Sequence, residues 1–529
     1  MVSILVFVAD SGWAATYYMP DNFPNLRSAV TGMSGGDTLI IRDGTYSGTD
    51  NCLWQFSMPP SGTAGQFTTI KAEHDGQAIF PNGFIHMAGG PSSAVSYVSF
   101  EGLKSLDYTM IYGGGTGIDH FKFLRCSFTY NNVSGQSANA SLWIGSGCSY
   151  CLVEDCWAWG AGRYRFVVGG AGSTGGYHIL RRCVARYDRT DWTDPMANFS
   201  SYDVDYVAYQ NCIAIDSDHE EFWLYRGEVA GTFYIHHGSA YNSITGCISI
   251  NNHNPWVTGS PGPGLVVENN TAVDIDNWGL YTRADTYSAG EFSISNCSLI
   301  NVEDLGFNPW GGSAGSVSAY NNILYGISRA MKDTNLGGAS QGYNVLYNNT
   351  TDFTNVTSVS TDYCAAQSNA VDPIDGTPGN GVPAVLYPVR IESGSNLKGT
   401  GSGGADRGAN ILYRVGTSGT FYGESGWDTV TAESLWPWPN ETRLRDDMAA
   451  YTYTGLTTSG TTETLSGDRG FCATGKQLNG ADDITLTSYI WEYLGNQIPD
   501  SVYGATYSHN VGAGSANRLR PGTAITIGE

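Results

Sequence analysis

Positive charge is scarce in this sequence. Of 529 residues, 26 are Lys or Arg against 49 Asp or Glu, a formal net charge of −23. That balance repels phosphate backbones and anionic membrane surfaces, so nucleic acid is not an expected partner. Charge of either sign is sparse, at 14% of residues. Long apolar runs are missing too. Beyond residues 3–9 no stretch approaches the roughly 20 residues that span a bilayer. A second CxxC is missing: Cys148-Ser-Tyr-Cys151 stands without a partner pair or a nearby His, which points to a loop disulfide or two plain thiols rather than zinc. Disorder is excluded by what is plentiful, 33 Tyr, 14 Trp and 19 Phe beside 69 Gly. Residues 3–9 (SILVFVA) followed by SGWAA at 11–15 read as the end of a secretory signal peptide, which places the protein outside the cell or on its surface.

The middle of the chain repeats one phrase, a strand-like alternation, then Cys or Asn, then a second alternation. It reads CLVEDCWAW at 151–159, YHILRRCVARY at 177–187, VAYQNCIAID at 207–216 and FSISNCSLIN at 292–301. Aligned on the central position, the residues are Cys126, Cys156, Cys183, Cys212, Cys247, Asn270, Cys297 and Asn322, in steps of 30, 27, 29, 35, 23, 27 and 25 residues. A drifting period of this size marks a solenoid, in which one repeat cannot bury its apolar face alone. Period-two alternation rich in Val, Ile, Tyr, Phe and Thr makes the repeat β. About 27 residues per turn fits three short strands joined by turns. The fold expected is therefore all-β: a right-handed parallel β-helix of three-strand coils with a Cys/Asn ladder. A short N-terminal helical cap and a small C-terminal part containing helices complete it. Stacked rungs lie about 4.8 Å apart, so the ladder cysteines become a column of small apolar side chains, with Asn able to bond its neighbours above and below.

Three divisions follow: 1–15, the signal-peptide remnant; 16–414, the β-helix with its cap; and 415–529, an appendix with short helices and a polar tail. PNLRSAVTGMSGGDTLIIRDGTYSG (24–48) reads as a capping helix, a Gly-Gly turn and a strand. Asn440 is a candidate N-cap for a helix within 434–451, and 482–499 reads as a helix stopped by Gly495 and Pro499. The 24–48 passage resembles the opening of pectate-lyase-like β-helix proteins. FTTIKAEHDGQAIF (67–80) and VSYVSFEGLKSL (95–106) are similar to the first coils of the polysaccharide lyase family that includes chondroitinase B and alginate lyases. The resemblance covers roughly the first hundred residues and implies the fold. That family works with a Lys and an Arg on successive coils. Here Gly169 falls where the Lys should stand, and 195–201 holds no Arg, so the family's chemistry is not carried over.

A third segment in each coil would carry the chemistry: 141–146, 164–170, 195–201, 221–227, 254–260, 277–283 and 306–312. Alternation splits each into inward and outward residues. Trp143, Arg165, Asn198, Trp223, Tyr225, Trp256, Tyr281, Asn308 and Trp310 are then expected on one outer face as substrate-binding residues. Aromatic faces stack on sugar rings, and Arg forks hold carboxylates or sulfates. A strip tens of Å long suits a polysaccharide. The densest ionisable cluster, DSDHEEFWLYRGE (216–228), supplies Asp216, Asp218, His219, Glu220, Glu221 and Arg226 as catalytic candidates, with His253 and Arg283 from later coils; His236 and His237 lie downstream of it. Asp188, Asp191 and Asp194 form the candidate metal cluster. Ca²⁺ is the cofactor such loops suit, and no organic cofactor is expected.

Three readings of these groups compete. A lyase would neutralise a uronate carboxylate with Arg or Ca²⁺ while His or Tyr removes the adjacent proton. A hydrolase would flank the scissile bond with two carboxylates. In the plainest reading the acidic loops are solvated, or bind structural Ca²⁺. The favoured expectation is a secreted polysaccharide-active enzyme cleaving an extended, uronate-containing glycan by β-elimination. A glycoside hydrolase on the same face is one alternative; a non-catalytic carbohydrate-binding, adhesin or tailspike-like solenoid is the other. Oligomeric state is unreadable.

Overall fold

The computed structural model describes residues 14–130, 140–188, 196–217, 231–259, 262–283, 292–309, 317–332, 340–375, 380–456, 462–474 and 484–503. The expected signal-peptide core, residues 3–9, lies outside them.

Most coils contribute one strand to each of three parallel sheets of 15, 12 and 10 strands, which wind together as a right-handed parallel β-helix. One coil shows the pattern. His178–Arg181 joins the first sheet, Val184–Ala185 the second and Ala197–Tyr202 the third, after which Val207–Gln210 returns to the first. The corner between the first and second sheets is a single left-handed residue followed by the ladder residue. Arg125, Asp155, Arg182 and Asn211 hold φ of 50–55°, each immediately before Cys126, Cys156, Cys183 or Cys212. One such residue turns the chain sharply, so the next side chain points inward at every rung. Ladder cysteines accept from the backbone above, as Cys126 N–H donates to Cys156 Sγ at 3.3 Å and Cys212 N–H to Cys247 Sγ at 3.3 Å. Asn270 does the same with an amide, accepting from Cys247 N at 2.6 Å and donating to Ile244 O at 2.8 Å. Asn344 adds one more rung, accepting from Asn322 N at 3.1 Å. All eleven cysteines are free thiols, including Cys148 and Cys151.

Helix α1 (Leu26–Gly32) closes the N-terminal end with Leu26, Ala29 and Val30 buried, and a capping box between Asn25 and Ser28 fixes its start. The C-terminal part lies along the flank. Helix α2 (Glu441–Ala449) follows Asn440 as expected, although Asn440 is left-handed and its side chain caps nothing. Helix α3 (Leu486–Trp491) is much shorter than the 482–499 read from the sequence. Thr485 and Ser488 form a capping box, and the helix is over by Glu492, with Gly495 at φ 88° beyond it. Residues of α2, α3 and the segments between them pack on the outward row of the second sheet, where Val184, Ile213, Ile248, Val273 and Ile300 are fully buried. Among the described residues no helix is long and apolar enough to cross a membrane.

Candidate active site on the outer face of the third sheet

The register of the third sheet decides which side chains face out. Its inner row runs Leu142, Phe166, Phe199, Phe233, Trp256, Leu280, Phe307. Its outer row runs Met110, Trp143, Val167, Ser200, Tyr234 and Val257, and passes along the Tyr281 backbone to Asn308. Two positions further on, Gly169, Tyr202 and His236 align as the next outer row.

Several expected site residues are elsewhere. Trp256 is in the inner row, 1% exposed, inside the hydrophobic core. Arg165 and Asn198 turn into the corner between the second and third sheets. Arg165 is fully buried over the Tyr187 ring at 5.0 Å, and Asn198 donates to Ala185 O at 3.2 Å and Ser217 Oγ at 3.0 Å. Asp216 is buried beneath the C-terminal part. It accepts from Tyr489 Oη at 2.8 Å, Phe471 N at 2.9 Å and Asn251 Nδ2 at 3.1 Å, so its oxygens are taken up in tying the C-terminal part to the β-helix. Asp188 is fully buried between two guanidinium groups, Arg186 at 2.9 Å and Arg469 at 2.6 Å, and they hold its carboxyl below the usual range against the burial that would raise it. A carboxylate already neutralised twice does not fit a Ca²⁺ ligand. Among the described residues, the group with metal-like spacing is Asp43, Glu73 and His74. It is exposed on the first coils, with His74 3.0 Å from Asp43 and Glu73 2.5 Å from Arg42.

Others keep the expected face. Trp143 is on the outer row with its indole N–H donating to Gly169 O at 2.6 Å, and Asn308 is on the same row, largely buried. The backbones of Tyr281 and Arg283 also fall on outer positions. His253 lies at the opposite edge, its Nδ1 2.5 Å from Asp276 Oδ1 and its Nε2 3.2 Å from Asn277 Nδ2. It precedes Gly259, the residue paired with His236, by six positions, about 20 Å along a strand. Asp191, Asp194, Asp218, His219, Glu220, Glu221, Trp223, Tyr225, Arg226 and Trp310 lie outside the described residues.

What the outer face does assemble is a cluster centred on His236. Ser200 Oγ is 3.1 Å from His236 Nε2 across one rung. The imidazole is sandwiched between Tyr202 at 4.3 Å and Tyr234 at 4.2 Å, both stacked, and His237 lies edge-on at 4.8 Å. His236 is buried, and among the described residues its Nδ1 has no hydrogen-bond partner. Burial, then the neighbouring His237, then Arg163 push its pKa well below the usual imidazole value. It is therefore neutral at pH 7, and in the tautomer whose Nε2–H is donated to Ser200 the lone pair falls on Nδ1. An unpartnered buried polar atom costs about 1–3 kcal/mol, a cost that functional sites tend to retain. Gly169, where the resembled family would carry its Lys, completes this row. It is left-handed at φ 86°, and a Cβ there would sit 2.2 Å from Tyr202 O, so no side chain fits.

The strand that carries His236 is Gly231–His236, not the 221–227 expected for its coil. That coil has the longest step, 35 residues from Cys212 to Cys247, and the added length precedes the strand. The histidines at 236 and 237 were visible in the sequence; their place in the third sheet was not.

No protein-family model matches the chain, and no curated protein matches it. Solved structures do. The chain is similar to pectate lyase Pel9A at 15% identity and a TM-score of 0.42, over 74% of this chain and 95% of that one. It is similar to the PL6 family alginate lyase AlyGC at 11% identity and a TM-score of 0.45, over 72% of this chain and 60% of that one. It is similar to a mannuronic acid specific polysaccharide family 6 lyase from human gut microbiota at 13% and 0.40, over 67% and 92%.

Proposed function

We propose that the protein cleaves a uronate-containing polysaccharide by β-elimination, with the glycan laid along the outer face of the third sheet. The observation that carries this reading is the neutral His236 imidazole, fixed by Ser200 and flanked by two tyrosines, with Nδ1 left unbonded. For Nδ1, which is covered in the free protein, to take the proton α to the uronate carboxylate, the bound sugar must displace the groups over it. Arg163, close enough to lower the pKa of His236, stabilises the charge that develops on that carboxylate. The Tyr202 hydroxyl gives a proton to the departing glycosidic oxygen as the C–O bond breaks. Water and buffer return the proton from His236 to Tyr202. A bound uronate would itself raise the pKa of His236 toward the working range of a general base.

The test is a panel of acidic and neutral polysaccharides, read for unsaturated-uronate absorbance and for new reducing ends. Both signals together are expected, and both should vanish in His236→Ala while binding of the polymer persists. Reducing ends without absorbance would overturn the eliminative reading. That outcome belongs to a second arrangement. Ile275 pairs with Val302, so Asp276 and Glu303 are the next residues on adjacent rungs, neither of them buried. A hydrolase works with a pair of carboxylates.

A further inference from the structure

The outer row does not stop at Met110. His86 forms a parallel bridge with Met110, and Leu53 with Ile85, so Trp54 follows in register beside His86. The third sheet's outer face thus runs on to the N-terminal coils and ends at Trp54 and Phe56. Trp54 is 39% exposed and Phe56 67%, two of the few large apolar side chains the described surface leaves open. Their rings meet edge to face at 4.9 Å, and the Arg27 guanidinium lies 5.2 Å from the Trp54 centroid. Packing to the core does not explain Phe56, whose ring is mostly in water. From Trp54 to Ser200 the register counts five rungs, through His86, Met110, Trp143 and Val167, about 24 Å. The path between is aromatic: His86 contacts Tyr108 at 4.7 Å, and Tyr108 contacts Trp143 at 6.3 Å.

We propose that Trp54 and Phe56 form a distal sugar-binding subsite that grips the same glycan several residues away from the His236 cluster. The occupant is a sugar ring of an acidic polysaccharide. Its apolar face stacks on the exposed aromatic pair, and its carboxylate is drawn to Arg27, which also faces Asp50 at 3.7 Å. This inference rests on the polysaccharide reading above. Its consequence is a preference for long chains: a polymer reaches both ends of the face, whereas a short oligomer reaches one. Two linked contacts raise apparent affinity without any new contact at the catalytic cluster.

The experiment compares wild type with Trp54→Ala/Phe56→Ala, using alginate and polygalacturonate as polymers and a tetrasaccharide of each. Both substituted side chains are on the surface, so the melting temperature should be unchanged. The polymer dissociation constant by affinity electrophoresis, and KM for the polymer, should rise about tenfold, the worth of one base-like stacking contact. The tetrasaccharide KM and kcat on both should stay within twofold. Equal polymer affinity in the two proteins, with wild type still cleaving, would overturn the distal subsite and leave the active-site reading intact. A wild-type dimer that the double variant breaks would assign the pair to an interface between copies and overturn the subsite as well. Wild type that neither binds nor cleaves any polymer would overturn both readings.

Discussion

Asp216 and the buried histidines show how far a residue's surroundings outweigh its type. Asp216 opens the densest acidic run in the chain, yet its three hydrogen bonds come from Tyr489, Phe471 and Asn251, which tie the C-terminal part to the β-helix. Asp216→Ala would leave those buried donors without an acceptor and should cost about 3 kcal/mol in urea unfolding. Activity per folded molecule should be kept, and a folded, stable but inactive Asp216→Ala would restore it to the catalytic set. A second residue-scale outcome concerns pH. His178 accepts from Cys151 N at 3.2 Å, and burial pushes its pKa down to about 3; His236 is pushed down for the same reason. Both stay neutral in the fold, whereas in the unfolded chain they take up protons below about 6.5. The unfolded state then binds more protons, so stability falls as pH drops through that value, by up to about 1.4 kcal/mol per unit for each group. Unfolding free energies between pH 7 and 5 should show this slope. His178→Asn, which keeps an acceptor near Nδ1, should remove about one proton's worth of it.

At the scale of the strand and the corner, the ladder makes a sharper prediction. Asn270 both accepts from Cys247 N and donates to Ile244 O, inside the core. Asn270→Ala abandons both backbone groups and should cost about 2–4 kcal/mol. Asn270→Cys should cost clearly less, because neighbouring rungs already satisfy the same N–H with a thiol, as Cys247 does for Cys212. Equal losses in the two variants would mean that volume, not the hydrogen bond, sets the ladder. This element was legible in the sequence because stacking forces the same corner, a left-handed residue and then a small inward one, on coil after coil. The third sheet was less legible. The sequence alignment placed Trp143 and Trp256 on one face, yet in register Trp143 sits with Val257 and Trp256 with Phe233. A slip of one residue reverses every side chain. Arg165 and Asn198 added to the slip, since charged and amide side chains are rarely expected in a buried corner. His236 escaped because the longest coil displaced its strand from the position that the period suggested.

Over the whole molecule, the division of the chain at 414 and 415 carries the least structural meaning. The second sheet's outward row is as apolar as its inward row, and the C-terminal part covers it. Charged groups cross the same boundary deep in the protein. Arg186 donates to Met448 O at 2.7 Å and Gly467 O at 3.0 Å, Arg181 to Thr417 O at 2.7 Å and Trp427 O at 2.9 Å, and Glu154 accepts from Gly419 N at 3.0 Å. Arg469 supplies half of the neutralisation of Asp188. A protein cut after residue 414 would keep its ladder but expose that apolar row. It would also strip partners from buried Arg186 and Asp188, and a broken buried ion pair alone costs about 3–5 kcal/mol. The truncated chain should therefore be insoluble or lack a cooperative transition, and the full chain should melt in a single calorimetric step whose van't Hoff and calorimetric enthalpies agree for the β-helix and C-terminal part together. Two separable transitions, or a soluble 1–414 fragment with native circular dichroism, would make the C-terminal part an independent domain. A single transition would make it the cover that lets a sheet with two apolar faces exist in water.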